Sequence, residues 1–172
     1  MRNIVVVPYD ESWPYEYAKI KNEILPAVED AIIIIEHVGS TSVKGLYAKP
    51  IIDINIVIEN RDILPDIIQR LAQIAYTHEG DLGITGREAF KYKDKAHLMK
   101  HHLYVCAEDC AEHKRQVAFR NYLRNNPADC EAYSNIKIKM AKKYPHDIDS
   151  YIKGKEPVIM DIYRKCGIEP WR

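Results

Sequence analysis

Gly39, Ser40, Thr41 and Ser42 form the stretch of this 172-residue chain whose residue types best suit the holding of an anion. A β-branched run, Ile32 to Val38, leads into Gly39, where the backbone can approach a ligand closely. Free N–H groups and hydroxyls in such a turn can hold phosphate oxygens. A second β-branched run, Pro50 to Ile58, carries Asp53. A carboxylate on a strand beside a phosphate-holding turn is the arrangement that seats Mg²⁺ on a nucleoside triphosphate, because Mg²⁺ binds through one or two carboxylates plus substrate phosphates. The chemistry would be metal-assisted displacement at phosphorus. Strand alternation puts Asn55 on the same face as Asp53. Its amide oxygen can ligate a hard cation, with one negative charge fewer.

A third stretch, HHLYV, puts His102 and Tyr104 on one strand face and His101 on the other. Asp53 and His102, with His37 as a third member, would make a mixed N/O set suited to Zn²⁺, Mn²⁺ or Fe²⁺. His102 has two competing readings: a general base toward an acceptor hydroxyl, or a strand histidine that is merely hydrogen-bonded. Lys49 and Arg87 are the candidate phosphate contacts, the latter through its forked guanidinium. The alternatives are a solvated lysine and an ion pair between Arg87 and Glu88. The expected site therefore has Asp53 and His102 as catalytic groups and Gly39, Ser40, Thr41, Ser42, Lys49 and Arg87 around the ligand. Asp53, Asn55 and His102 would face a divalent metal, Mg²⁺ or Mn²⁺ ahead of Zn²⁺.

Other chemistries lack their signatures. Gly-x-Ser-x-Gly is absent, so Ser40 is not read as a hydrolase nucleophile. Lys44-Gly45 does not complete a Walker loop. Cys106, Cys110, Cys130 and Cys166 contain no Cys-x-x-Cys pair. Lysine plus arginine and aspartate plus glutamate both number 25, so net charge is zero and general nucleic-acid binding is not expected. The charge is uneven, however. Residues 1–86 hold 7 basic and 13 acidic side chains, and residues 87–172 hold 18 and 12. A basic second half facing an acidic first half suits a phosphate-bearing ligand between them. With no signal-peptide pattern at the start and no long apolar run, the expected location is the cytoplasm, away from membranes and with reduced thiols. Nothing in the sequence indicates an oligomeric state.

The elements that must position these residues follow from periodicity. Asn3 to Val7 reads as a short strand. After Ser12, the residues Trp13, Tyr17, Ile20, Ile24, Val28 and Ala31 recur at helical spacing, with a kink or stop expected at Pro26. Ile32 to Val38, Pro50 to Ile58, Ala89 to Lys93 and Lys100 to Cys106 read as strands. Arg61 to Ile74 reads as a helix. From Glu108 the pattern is helical, divided at Asn126-Pro127 and Tyr144-Pro145 into three helices. Ala132, Ile136 and Met140 suggest one apolar stripe, and Ile152, Ile159, Ile162 and Tyr163 another. The order predicts an α/β fold: a mixed sheet with helices on one face and a helical C-terminal portion. One domain, 1–172, is expected, with 1–107 containing the sheet and 108–172 mainly helical.

A Gly-Ser turn followed by an aspartate strand resembles the nucleotidyltransferase superfamily, whose strand bears Asp-x-Asp where this chain has Asp53 and Asn55. More narrowly, PYDESWP, IEHVGSTSVKGL, AKPIIDI, the Arg87/Phe90 segment, HHLYV, AFRNYLRNNP, and Tyr151 with Lys155 resemble the GrpB family over nearly the full length. That resemblance implies a nucleotidyltransferase-like fold and kinship with a domain fused to dephospho-coenzyme A kinase in some bacteria. From the turn and Asp53, the expected partner is a nucleotide or another phosphorylated small molecule. A third carboxylate has no counterpart, and Tyr104 stands where the GrpB pattern has a second histidine. A non-catalytic ligand- or partner-binding domain, linked to coenzyme A metabolism, is the alternative.

Overall fold

Strand β2 (Ile52–Ile58) is the middle of the architecture and is buried on both faces along most of its length. Ile52, Ile54, Ile56 and Ile58 point to one face and are fully buried there, each contributing roughly 1.5–3 kcal/mol of apolar burial. The computed structural model describes residues 3–168. Its five-stranded sheet has the order β1-β2-β5-β4-β3, with β1 Ile34–Val38, β3 Tyr76–Gly80, β4 Arg87–Tyr92 and β5 His101–Ala107. Only the β2–β5 pair is parallel; β1–β2, β4–β5 and β3–β4 are antiparallel. In register, Val38 and His102 lie on either side of Asp53.

Helix α1 (Trp13–Val28) and helix α2 (Leu64–Gln73) cover the isoleucine face. Ser12 is the α1 N-cap residue, and Trp13, Ile20, Ile24 and Val28 form the buried stripe. Pro26 falls inside the last turn, and the helix ends two residues later. Helix α3 (Ala111–Asn125), α4 (Pro127–Lys143) and α5 (Ile148–Cys166) make the C-terminal portion and build a second apolar cluster around Val43, Leu46, Leu123 and Ile162. The two prolines divide this portion as expected, Pro127 opening α4 where its missing N–H costs nothing.

The structure corrects four points. Asn3 to Val7 is not a strand; the segment is extended and makes a lone bridge from Val7 to Ala48. Tyr76–Gly80 is a strand that was not among the expected ones. It lies at the sheet edge, so polar Thr77, His78 and Glu79 dilute its apolar signal. The α4 stripe is also turned. Its buried face is Cys130, Tyr133, Ser134, Lys137 and Met140, with Ala132 exposed. On α5, Tyr151 is buried and Ile152 exposed.

Candidate functional site

The turn after β1 is a single 3-10 turn, Ser40–Ser42, entered through Gly39 at φ 72° and ψ −172°. Only glycine tolerates that region comfortably. A Cβ on Gly39 would lie 2.3 Å from Asp53 Oδ2, so the missing side chain is what lets the carboxylate close against the turn. The three hydroxyls then diverge. Ser42 Oγ donates to Gly39 O at 2.5 Å, and Thr41 Oγ1 donates to Ile51 O at 3.2 Å. Both of these side chains are buried and hold the turn together. Ser40 lines a cavity of about 190 Å³ walled by Phe119, Arg120, Tyr133 and Tyr163.

Asp53 and His102 meet. His102 Nδ1 lies 2.8 Å from Asp53 Oδ1, with side chains 45% and 29% exposed respectively. A carboxylate can only accept, so in the neutral ring Nδ1 carries the proton and Nε2 remains an acceptor. The pair is therefore oriented for proton acceptance at Nε2.

Lysine side chains from the helices reach the turn beside Asp53. Lys137 is 2% exposed. Its Nζ donates to Ser40 Oγ at 2.5 Å and Tyr47 O at 2.9 Å and lies 4.1 Å from the Tyr133 ring centroid. Burial, then nearby Lys155, holds its pKa well below the ordinary lysine value, with Asp53 pulling the other way. Lys155 stacks over Tyr151 at 4.2 Å, and burial with neighbouring Lys49 lowers it to about 8. No ion pair among the described residues involves Lys137 or Lys155. Burial without an ion pair favours the neutral amine, and an anion beside it would favour the protonated form. Lys137 was hidden in the sequence because a helical lysine usually reads as solvated. The signal was its place in the stripe Cys130, Tyr133, Ser134, Met140. Tyr151 and Lys155 belonged to the family resemblance without a role.

Other expected members lie elsewhere. His37 is on the opposite sheet face from Asp53, stacked on Tyr17 with ring centroids 4.7 Å apart and 3.0 Å from Thr41 Oγ1. Burial lowers its pKa to about 4. Asn55 shares the Asp53 face but is fully buried under α3, its Nδ2 donating to Gln116 Oε1 at 2.6 Å and lying 3.1 Å from His113 Nδ1. Its Oδ1 has no hydrogen-bond partner. Arg87 is in register with Cys106, four residues beyond His102, and its guanidinium carbon stacks 4.2 Å over Tyr104. Glu88 pairs with Arg61 and His78 instead, at 2.6 and 2.7 Å. Lys49 lies 5.9 Å from the Tyr151 ring, beside Lys155.

The donors for a divalent cation are few. Among the described residues no three His, Cys, Asp or Glu side chains cluster as a metal cage. His102 Nδ1 already faces Asp53. Asp53 fits a cation that arrives with phosphates, as Mg²⁺ does, rather than one held by protein ligands alone.

A mixed sheet with a Gly-Ser turn against a strand-borne aspartate, backed by a helical bundle, defines a nucleotidyltransferase-like fold. The Trypanosoma brucei terminal uridylyl transferase 4, solved with bound UTP, shares that fold at a TM-score of 0.54 and 16% identity, over 90% of this chain and 52% of the other. Within the class, the chain belongs to the GrpB family, whose model, described as GrpB protein, matches residues 3–165. The glutamate-rich protein GrpB of Alkalihalophilus pseudofirmus is 32% identical over 92% of this chain and 93% of its own length. The crystal structure of the conserved protein GrpB from Enterococcus faecalis matches at a TM-score of 0.82 and 29% identity, covering 94% and 96% of the two chains. The chain spans 45% of the length of Bacillus subtilis YqkA, at 30% identity. It also spans 45% of the Mycobacterium bovis dephospho-CoA kinase, at 26% identity. No helix among the described residues is long and apolar enough to cross a membrane.

Proposed function

We propose that the chain binds a nucleoside triphosphate and transfers its nucleotidyl group to a hydroxyl acceptor. The observation that carries this reading is the buried Lys137 Nζ donating to Ser40 Oγ, with Lys155 and Lys49 beside it and Asp53 behind the turn. The β- and γ-phosphates would lie across Ser40 and the lysine side chains beside it. The aromatic cavity next to Ser40 offers a flat apolar surface for the base. Asp53 would hold a divalent cation carried in on the phosphates, and that cation would neutralise charge developing on them. His102, fixed by Asp53, would accept the acceptor's proton at Nε2.

Calorimetric titration with a non-hydrolysable triphosphate tests the binding half. Lys137→Met should weaken binding by about tenfold or more, the worth of one charge-assisted hydrogen bond. Failure of the wild type to bind any of the four common ribonucleoside triphosphates would remove the proposal. Release of pyrophosphate tests the transfer half. A second reading, a binding domain without turnover, draws on Asn55, which is uncharged and sealed under α3 where a second carboxylate would serve a metal. It predicts nucleotide binding with no pyrophosphate formed. Titration with dephospho-coenzyme A tests the link suggested by the kinase relative.

A further inference from the structure

His102 belongs to two surfaces. One is its pairing with Asp53. The other is a groove of about 410 Å³ rimmed by Lys49, Lys100, His102 and His146 and floored by Pro50 and Ile51. The extended N-terminal segment closes one side, Ile4 N–H donating to Pro145 O at 2.8 Å and Val7 bridging to Ala48. No aspartate or glutamate lines this groove. A groove lined by lysine and histidine side chains, with no carboxylate among its lining residues, complements an anion. The volume is that of a small-molecule site. A long polyanion would need a continuing basic track, and a chain of zero net charge favours a compact guest.

We infer that this groove is the acceptor site and takes a small phosphorylated alcohol, its phosphate on Lys100 and His146 and its hydroxyl at His102. The inference rests on the nucleotidyl-transfer reading and names the acceptor class that reading leaves open. In the reaction the hydroxyl oxygen forms a bond to the α-phosphorus of the triphosphate. The bond from that phosphorus to the bridging oxygen breaks, and pyrophosphate leaves with the electron pair. The hydroxyl proton passes to His102 Nε2 and from there to water.

The test is calorimetry with four probes: ribose 5-phosphate, ribose, a short oligouridylate, and the non-hydrolysable triphosphate. Ribose 5-phosphate should bind and ribose should not. Lys100→Gln and His146→Gln should each weaken ribose 5-phosphate by about fivefold to tenfold, the effect of losing one charged hydrogen bond near the surface. Both variants should bind the triphosphate as the wild type does, and Lys137→Met should show the opposite pattern. Absence of ribose 5-phosphate binding at millimolar concentration would overturn the inference, as would binding lost in Lys137→Met but kept in Lys100→Gln. Tighter, Lys100-dependent binding of the oligouridylate would overturn it in favour of an RNA end. Failure of the underlying reading looks different: the wild type ignores the triphosphate while ribose 5-phosphate still depends on Lys100, and the acceptor role then falls.

Discussion

Replacing Gly39 by alanine adds a single methyl group and tests how the turn and Asp53 depend on each other. Two costs arise. The backbone sits at φ 72° and ψ −172°, a region that costs a residue with a Cβ about 1–3 kcal/mol. The new Cβ would also meet Asp53 Oδ2 at 2.3 Å and Asp53 Cβ and Cγ at 3.0 Å. The carboxylate must swing away, which breaks its 2.8 Å contact with His102 and removes about 1 kcal/mol for a partly exposed hydrogen bond. The sum is about 3 kcal/mol, or roughly 6–12 °C in Tm for a chain of this size. Urea denaturation and thermal melting of Gly39→Ala, Asp53→Ala and the double variant measure it. Asp53→Ala removes Oδ2 and Cγ, so the double variant should be less destabilised than the sum of the singles. A Gly39→Ala protein within about 0.5 kcal/mol of wild type, or strict additivity in the double variant, would refute the close packing of turn and carboxylate.

Two further outcomes follow from the buried bases. Folded Lys155 releases its proton near pH 8, while an unfolded lysine does so at about 10.4. Between these values the unfolded chain binds more protons, so wild-type stability should rise with pH across that window. Lys155→Met should flatten this rise and raise Tm at pH 7; a Tm lowered at pH 7 with the alkaline rise intact would contradict it. Folded His37 is lowered to about 4, against about 6.5 unfolded, so its contribution is full above 6.5 and is lost as pH falls toward 4. His37→Gln should shallow the acid limb of a pH–stability curve, and an unchanged slope would argue against a buried neutral ring.

Much of the fold was legible because β2 announces itself. Its isoleucines alternate with Ile51, Asp53, Asn55 and Val57, and period two fixes both the core face and the chemical face. Gly39 and Asp53 were legible for the same reason, one as a turn residue and the other as a charge on a buried strand. Strand β3 was not, since an edge strand need not look apolar. Thr41 and Ser42 resembled ligand contacts, yet their hydroxyls hold backbone carbonyls, a distinction that residue type does not carry. Lys137 lies 97 residues from Ser40 in sequence. Only the packing of α4 against the turn brings them together, and a local pattern cannot report that.

The turn is also guyed from behind. Arg124 grips the Ser42 carbonyl with two nitrogens, at 3.0 and 2.7 Å, and Arg120, one helical turn earlier, holds the His37 carbonyl at 2.8 Å while pairing with Glu36. These anchors exist before any guest arrives. Little ordering entropy then remains to be lost on association, so amides of this loop should exchange slowly with deuterium even in the empty protein, and capture should proceed without a slow rearrangement step.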